Sequence, residues 1–210
     1  LTAIIGYIET LIDGQDLESS MQNKFLQIIK KNSLRLSQIV NDLLTLSSLE
    51  KEESSEGEKL LIGNIYKVIE ESIGTCEFKA MKKNVDIVLK GDNSISGLIN
   101  SSLLEQAFVN LIDNAIKYTP EGGEVLVEAS SSKKNHVIRV LDQGPGIPTK
   151  YHARIFERFF SVDKARSRIM GGSGLGLSIV KHIILNHNGQ VYVEDNQPSG
   201  SVFTVLIPRK

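Results

Sequence analysis

Asn110, Asn114 and Lys117 fall at steps of four and three residues within the stretch NLIDNAIKYTP, which runs from Asn110 to Pro120. The intervening apolar residues Leu111, Ile112, Ala115 and Ile116 keep helical spacing, so the stretch predicts a half-buried helix with the three polar side chains on its open side. Asparagine is a weak helix former, because its amide competes for backbone hydrogen bonds. Two of them one turn apart suggest a task beyond forming the helix. An asparagine carbonyl is a neutral oxygen ligand for a divalent cation that bridges nucleotide phosphates. It adds no negative charge beside the polyphosphate. Lys117 can neutralise a phosphate one turn further on, and Tyr118 can pack against a nucleotide or donate a hydrogen bond. Taken alone, the same helix reads equally well as one with two asparagines on a solvated face.

Three further motifs come next in order. In LDQGPGIP, Asp142 stands at the end of a strand, and Gly144 and Gly146 let the backbone turn closely around a ligand. A carboxylate there can accept a hydrogen bond from an exocyclic amine such as that of adenine; in isolation a turn closed by a capping aspartate fits as well. In GGSGLGLSIVKHI, Gly172, Gly174 and Gly176 lead into an amphipathic helix, whose free N–H groups and positive dipole end suit phosphate. No G-K-[ST] follows, so this is not a Walker loop. Between the two glycine motifs lies RIFERFFSVDKARSRIMGG. There Phe156, Phe159 and Phe160 sit beside Lys164, Arg166 and Arg168, an arrangement expected of a lid closing on an anion. Four such motifs in this order are hard to read as structural accidents.

The elements that must position these residues divide the chain. Residues 1 to 50 carry no proline and two helical stripes: Ile4, Ile5, Ile8, Leu11 and Ile12, then Phe25, Ile29, Asn32, Leu36, Ile39, Leu43 and Leu46 in heptad steps from a helix of about 17 to 49. Gly14 reads as the stop between them. Ile28, Val40 and Leu44 widen the stripe. Such a hairpin has more apolar face than it can bury alone, and pairing with a second copy into a four-helix bundle satisfies it, unless the stripe packs on the rest of the chain. EKEESSEGEK (50 to 59) holds no apolar residue and reads as a linker. Beyond it the sequence predicts a helix from about 62 to 83, a strand VDIVLKG, the asparagine helix (101 to 117), and paired strands GEVLVEAS and HVIRVLDQG. A helix LGLSIVKHIILNH and strands GQVYVED and SVFTVLIP complete it. Interspersed helices and hairpin-like strands favour an α/β sandwich with a mixed sheet, helices covering one face.

The formal net charge is -1, with Lys plus Arg at 24 against Asp plus Glu at 25, so charge gives no case for binding nucleic acid or an anionic membrane. The single cysteine, Cys76, excludes an internal disulfide and fits a cytosolic compartment. No apolar run approaches the roughly 18 residues of a membrane helix. The chain opens inside what reads as a helix, without a cap, as a piece of a longer protein would.

The sequence resembles the cytoplasmic transmitter core of a bacterial two-component sensor histidine kinase, nearest to the membrane kinases that sense phosphate or cell-wall status. Asn110–Pro120 resembles the family's N box, Asp142–Gly146 its first glycine box, Ile155–Phe160 its F box and Gly172–Leu177 its second glycine box. LTAIIGYIETL resembles the part of the first dimerisation helix that follows the H box. The resemblance implies an α+β chain: residues 1–50 as half of a dimeric four-helix bundle, 51–59 as linker, and 60–210 as an ATP-binding domain of the fold shared with gyrase, heat-shock chaperone and mismatch-repair ATPases. It implies Asn114 as main ligand of Mg2+, Asn110 as support for metal and phosphates, and Lys117 and Tyr118 on phosphates and nucleotide. Asp142 would recognise the adenine of ATP, and Gly144, Gly146, Gly172, Gly174, Leu175 and Gly176 would shape pocket and lid. The ATPase relatives carry a glutamate where this chain has Asn110, and asparagine cannot act as a base at neutral pH. The resemblance therefore implies that ATP is held without efficient hydrolysis and its γ-phosphate offered to a histidine, then to an aspartate on a response-regulator receiver domain. That histidine would lie just upstream of Leu1, and His136, His152, His182 and His187 read as structural. Many relatives have an arginine after the F box aromatic pair, where this chain has Ser161. Arg158, Lys164, Arg166 or Arg168 would then take over the γ-phosphate contact. The parent protein is expected at the membrane only through segments upstream.

Overall fold

The computed structural model describes residues 2–13, 18–52, 60–163 and 172–209, of Lys51 and Glu52 the backbone only. Gly14, the linker from residue 53 and the lid residues Lys164, Arg166 and Arg168 lie outside the described residues. The chain opens with two helices, α1 (Thr2–Asp13) and α2 (Ser19–Glu52). They pack side by side, with Tyr7 and Phe25 ring centroids 5.1 Å apart. α1 has no buried residue, whereas α2 sends Leu46 and Leu49 into the core of the α/β part.

The α/β part begins with a four-residue strand, β1 (Leu61–Asn64), paired antiparallel with β3 (Ser96–Ile99). This corrects the expected helix start near residue 62. Helix α3 (Ile65–Lys83) begins only after Asn64, whose side chain caps it by accepting from the Lys67 N–H at 2.9 Å. It ends at Asn84, held left-handed at φ 54°. Helix α4 (Ser101–Tyr118) is the asparagine helix. Asn100 caps it in the same way at Leu103, while the Asn100 N–H donates to Nε2 of His187 at 2.9 Å. At its far end Lys83 donates to the carbonyls of Ile116, Lys117 and Thr119 at 2.6–2.8 Å, meeting the negative end of the helix with a cation.

The main sheet has five strands in the order β2-β4-β5-β7-β6, from β2 (Asp86–Gly91), β4 (Glu124–Ser131), β5 (Asn135–Leu141), β6 (Gln190–Asp195) and β7 (Ser201–Pro208). β2 and β4 run parallel and every other neighbour pair antiparallel, a mixed sheet. Strands β4 and β5 alternate along their length: Val125, Val127, Ala129, Ile138 and Val140 are buried. Against that face pack α3, α4 and a third helix, α5 (Gly176–Asn186), through Ile69, Phe108, Leu111, Ile179 and Ile183, all at most 1% exposed. A helical hairpin followed by an α/β sandwich is thus the observed fold.

Candidate functional site

Helix α4 buries Leu104, Ala107, Phe108, Leu111, Ile112, Ala115 and Ile116, which turns Asn110, Asn114 and Lys117 to its other side. They open into one cleft of about 1040 Å3. That is the upper end of the range usual for small-molecule pockets, ~300–1,000 Å3. Asn114, Asn110, Lys117, Tyr118, Asp142, Gly146, Gly172, Gly174 and Gly176 all line it. Asn110 spends its amide N–H on the Gln106 carbonyl at 3.0 Å, so its oxygen is the group it presents elsewhere. That oxygen lies against Gly176, the first residue of α5. A Cβ on Gly176 would come within 2.9 Å of Asn110 Oδ1, so glycine there allows the start of α5 to approach the asparagine face.

Asp142 follows the end of β5 and is 4% exposed. Its Oδ1 accepts from the Gly144 N–H at 2.8 Å and the Ser201 N–H at 3.2 Å. Burial raises the carboxyl above its ordinary range, and the donations from Gly144 and Ser201 pull it back down. Gly144 serves through this N–H and its contact with Tyr118, not as lining. Gly200, at φ +113°, backs the aspartate so closely that a Cβ would fall 1.9 Å from the Asp142 carbonyl oxygen. Asn196 donates to the same carbonyl oxygen at 2.9 Å. Sequence reasoning passed over Ser201, Gly200 and Asn196. The signal was the NQPSGS turn, which brings β7 back beside the aspartate.

Lys117 is partly buried and its amine lies 5.3 Å from the Tyr118 ring centroid. Burial holds it below the ordinary lysine range; Asp113 pulls it back up and Arg35 pushes it down. At the other wall, the Ser173 hydroxyl accepts from the Leu175 N–H at 3.1 Å, ordering the turn into α5. Leu175 is 0% exposed and anchors that turn in the core without lining the cleft. The Phe159 N–H donates to the Gly174 carbonyl at 2.8 Å, so the aromatic segment and the glycine turn touch. Ile155 and Phe156 are buried, whereas Phe159 is 58% exposed. Arg158 does not line the cleft and pairs with Glu50 of α2.

The hairpin contributes more than the sequence suggested. Leu34, Arg35, Gln38 and Asp42 of α2 line the same cleft. Arg35 Nη2 donates to the Gly172 carbonyl at 3.2 Å, and the Ser173 hydroxyl donates to Asp42 Oδ2 at 2.7 Å. Asp42, 5% exposed, also accepts from Gln38 at 2.7 Å. Three of the four histidines are tied into the fold by hydrogen bonds. His187 bridges Asn100 and Ile183, His136 is buried beside Ser131, and His152 contacts the Ile147 carbonyl.

Among the described residues no group of three or more His, Cys, Asp or Glu side chains could hold a metal ion. No helix among them is long and apolar enough to cross a membrane.

Residues 99–210 match the family described as histidine kinase-, DNA gyrase B-, and HSP90-like ATPase, and residues 1–52 the His kinase A (phospho-acceptor) domain. The chain is 35% identical over 200 residues to the sensor-like histidine kinase SenX3 of Mycolicibacterium smegmatis, covering 95% of this chain and 51% of that protein. It is 30% identical over 213 residues to the sensor histidine kinase WalK of Bacillus subtilis, covering 100% of this chain and 34% of WalK. It thus spans about half the length of the first relative and a third of the second. Among solved structures, histidine kinase ThkA in complex with the response regulator protein TrrA superposes with a TM-score of 0.78 at 28% identity, over 100% of this chain and 57% of that one.

Proposed function

The chain belongs to the sensor histidine kinases, and on that premise we propose that its α/β half holds Mg-ATP between α4 and α5 and offers the γ-phosphate to a histidine. The observation that carries this reading is the shared cleft: the two amides of α4 face the same space as Asp142 and the glycine turn into α5. Asp142, fixed by two backbone donors, accepts from the exocyclic amine of adenine. Lys117 and Tyr118 contact the phosphates and nucleotide, and the N-terminus of α5 adds its free N–H groups.

The donor set fits Mg2+. Neutral amide oxygens from Asn114, with Asn110 in support, suit a hard cation whose remaining ligands are phosphates and water. Bound there, the cation would neutralise charge on the phosphates. The missing base is as informative. Position 110 offers an amide, which takes no proton at neutral pH. Of the other carboxylates that line the cleft, Asp42, Asp113 and Asp163, the first accepts from Ser173 and Gln38 and the second pairs with Lys79 at 2.5 Å. Those two carboxylates are thereby engaged with protein partners, and neither is poised to activate water. In the transfer, a histidine ring nitrogen bonds to the γ-phosphorus, the bond to the bridging oxygen breaks and ADP leaves. Transfer of this kind needs chiefly positioning and charge neutralisation.

We divide the chain into a dimerisation hairpin (1–50), a linker (51–59) and a catalytic domain (60–210), in line with the two family matches. Two copies pair through the apolar stripe of the hairpin. His136, His152 and His187 are held by hydrogen bonds within the fold and are not assigned as the phosphoacceptor. From the phosphorylated histidine the phosphoryl group passes to an aspartate on a response regulator, a partner class supported by the ThkA–TrrA complex. The chain is the cytoplasmic part of a bacterial membrane sensor. Titration with a non-hydrolysable ATP analogue tests the site. Micromolar-range binding that requires magnesium is expected, weakened on the order of 100-fold by Asn114→Ala, the scale for a lost metal contact. Unchanged binding in that variant overturns the assignment.

A further inference from the structure

We propose that Arg35, on the hairpin helix α2, supplies the cation that meets the terminal phosphate of the nucleotide. The proposal rests on the ATP-binding reading above and deepens it. The position after the aromatic pair, Ser161, carries no charge, and its hydroxyl donates to the Asp163 carbonyl at 3.0 Å. Among the described residues, the neighbouring arginines are engaged elsewhere. Arg154 lies 4.6 Å from the Phe160 ring centroid and 3.5 Å from Glu157, and Arg158 pairs with Glu50. Two of the lysines along the cleft are also committed, Lys79 to Asp113 and Lys83 to the last carbonyls of α4.

Arg35 differs from all of these. It lines the cleft and is partly buried. It makes no ion pair among the described residues, and its buried Nε has no hydrogen-bond partner among them. Its Nη2 reaches the Gly172 carbonyl, at the glycine turn that feeds the N-terminus of α5. Asp42, two turns further along α2, is the natural counter-ion, but it is taken by Ser173 and Gln38. The charge of Arg35 is felt at Lys117, across the same cleft from α4. Two cations lining one space, one of them with a guanidinium N–H that has no partner among the described residues, form a seat for an oxyanion; the planar fork suits two phosphate oxygens. ADP lacks that phosphate. Arg35 would therefore let the hairpin distinguish the nucleotide before transfer from the one left after it.

The test is titration of the chain with Mg-ATP and Mg-ADP, for the wild type, Arg35→Ala, Arg35→Gln and Arg35→Lys. The Ala and Gln variants are expected to lose about 10-fold in affinity for Mg-ATP, with Mg-ADP unchanged, and Lys to recover most of the loss through its point charge. The Gln variant keeps a donor for Gly172 without the charge, so its loss assigns the effect to electrostatics. Equal weakening for both nucleotides, no change for either, or tighter binding of both would overturn the proposal; the last would show that Arg35 only bars the cleft. If the wild type binds neither nucleotide, the ATP-binding reading itself fails, and Arg35 with it. Circular dichroism of each variant confirms folding, and a defect in Ala alone leaves Gln and Lys to decide.

Discussion

The α/β half and the helical hairpin solve the same problem to different degrees. In the α/β half, α3, α4 and α5 find a sheet face, and Phe108, Leu111, Ile112, Ile138 and Ile179 are each at most 1% exposed. The hairpin finds no such cover. Ile5, Ile12, Val40 and Leu44 are 50%, 72%, 47% and 65% exposed; among the described residues Leu46 and Leu49 are buried in the core of the other half, and Ile39 packs against it. One half buries nearly all of its apolar face, with Leu46 and Leu49 of the hairpin added to its core, whereas the other carries an apolar surface left exposed within this chain. Burial of apolar area is the main favourable term in folding, so the two halves should respond to mutation and to concentration in different ways.

The largest effect is expected in the α/β half. Phe108→Ala removes a ring from the centre of the helix layer and should cost ~3–5 kcal/mol in urea unfolding, with no dependence on protein concentration. The hairpin should show the reverse. Leu44→Glu changes the stability of the chain by less than about 0.5 kcal/mol, as exposed substitutions generally do. It should nevertheless raise the dimer dissociation constant by at least ~10-fold in sedimentation equilibrium, since each copy brings a charge into the bundle. Dimerisation that survives Leu44→Glu would place the stripe elsewhere.

Asp142 gives the smallest effect on the fold and a specific effect on the site. Burial raises its folded-state pKa above the ordinary 3.8. The folded chain therefore holds this proton more tightly than the unfolded one, and stability falls as pH climbs from that value through the raised one. Asp142→Asn keeps an acceptor for Gly144 and Ser201 and removes the slope. It should leave the melting temperature at neutral pH equal or higher, while weakening nucleotide binding ~10–100-fold through the lost charged hydrogen bond. A drop in stability that matches the loss of binding would make the aspartate structural.

The asparagine face was legible because a step of four and three on a helix with a buried opposite side fixes direction unambiguously: Asn110, Asn114 and Lys117 share a side whatever surrounds them. Asp142 and the glycine turns were legible because turn chemistry is local. Strands β1 and β3 were not. Each has four residues, too short for alternation to register, and the Leu61–Ile62 pair runs without a break into the apolar pattern of α3. Asn64 was the available signal, a capping residue just before the helical run. Arg35 and Asp42 were invisible as site residues for another reason. On a long amphipathic helix, a charge aimed at another part of the chain has the same spacing as one aimed at water. Only the packing of α2 beside α5 separates the two cases.

The proposed site holds ATP on an amide face, with Asn110 where a hydrolysing site would need a base. Phosphate release from the chain saturated with Mg-ATP, measured at steady state next to a binding titration, tests this most directly. Saturable binding with phosphate release near the level of the uncatalysed control is the expected result. Sustained turnover, many ATP molecules hydrolysed per chain per minute, would contradict it and place the chain with the hydrolysing members of this fold.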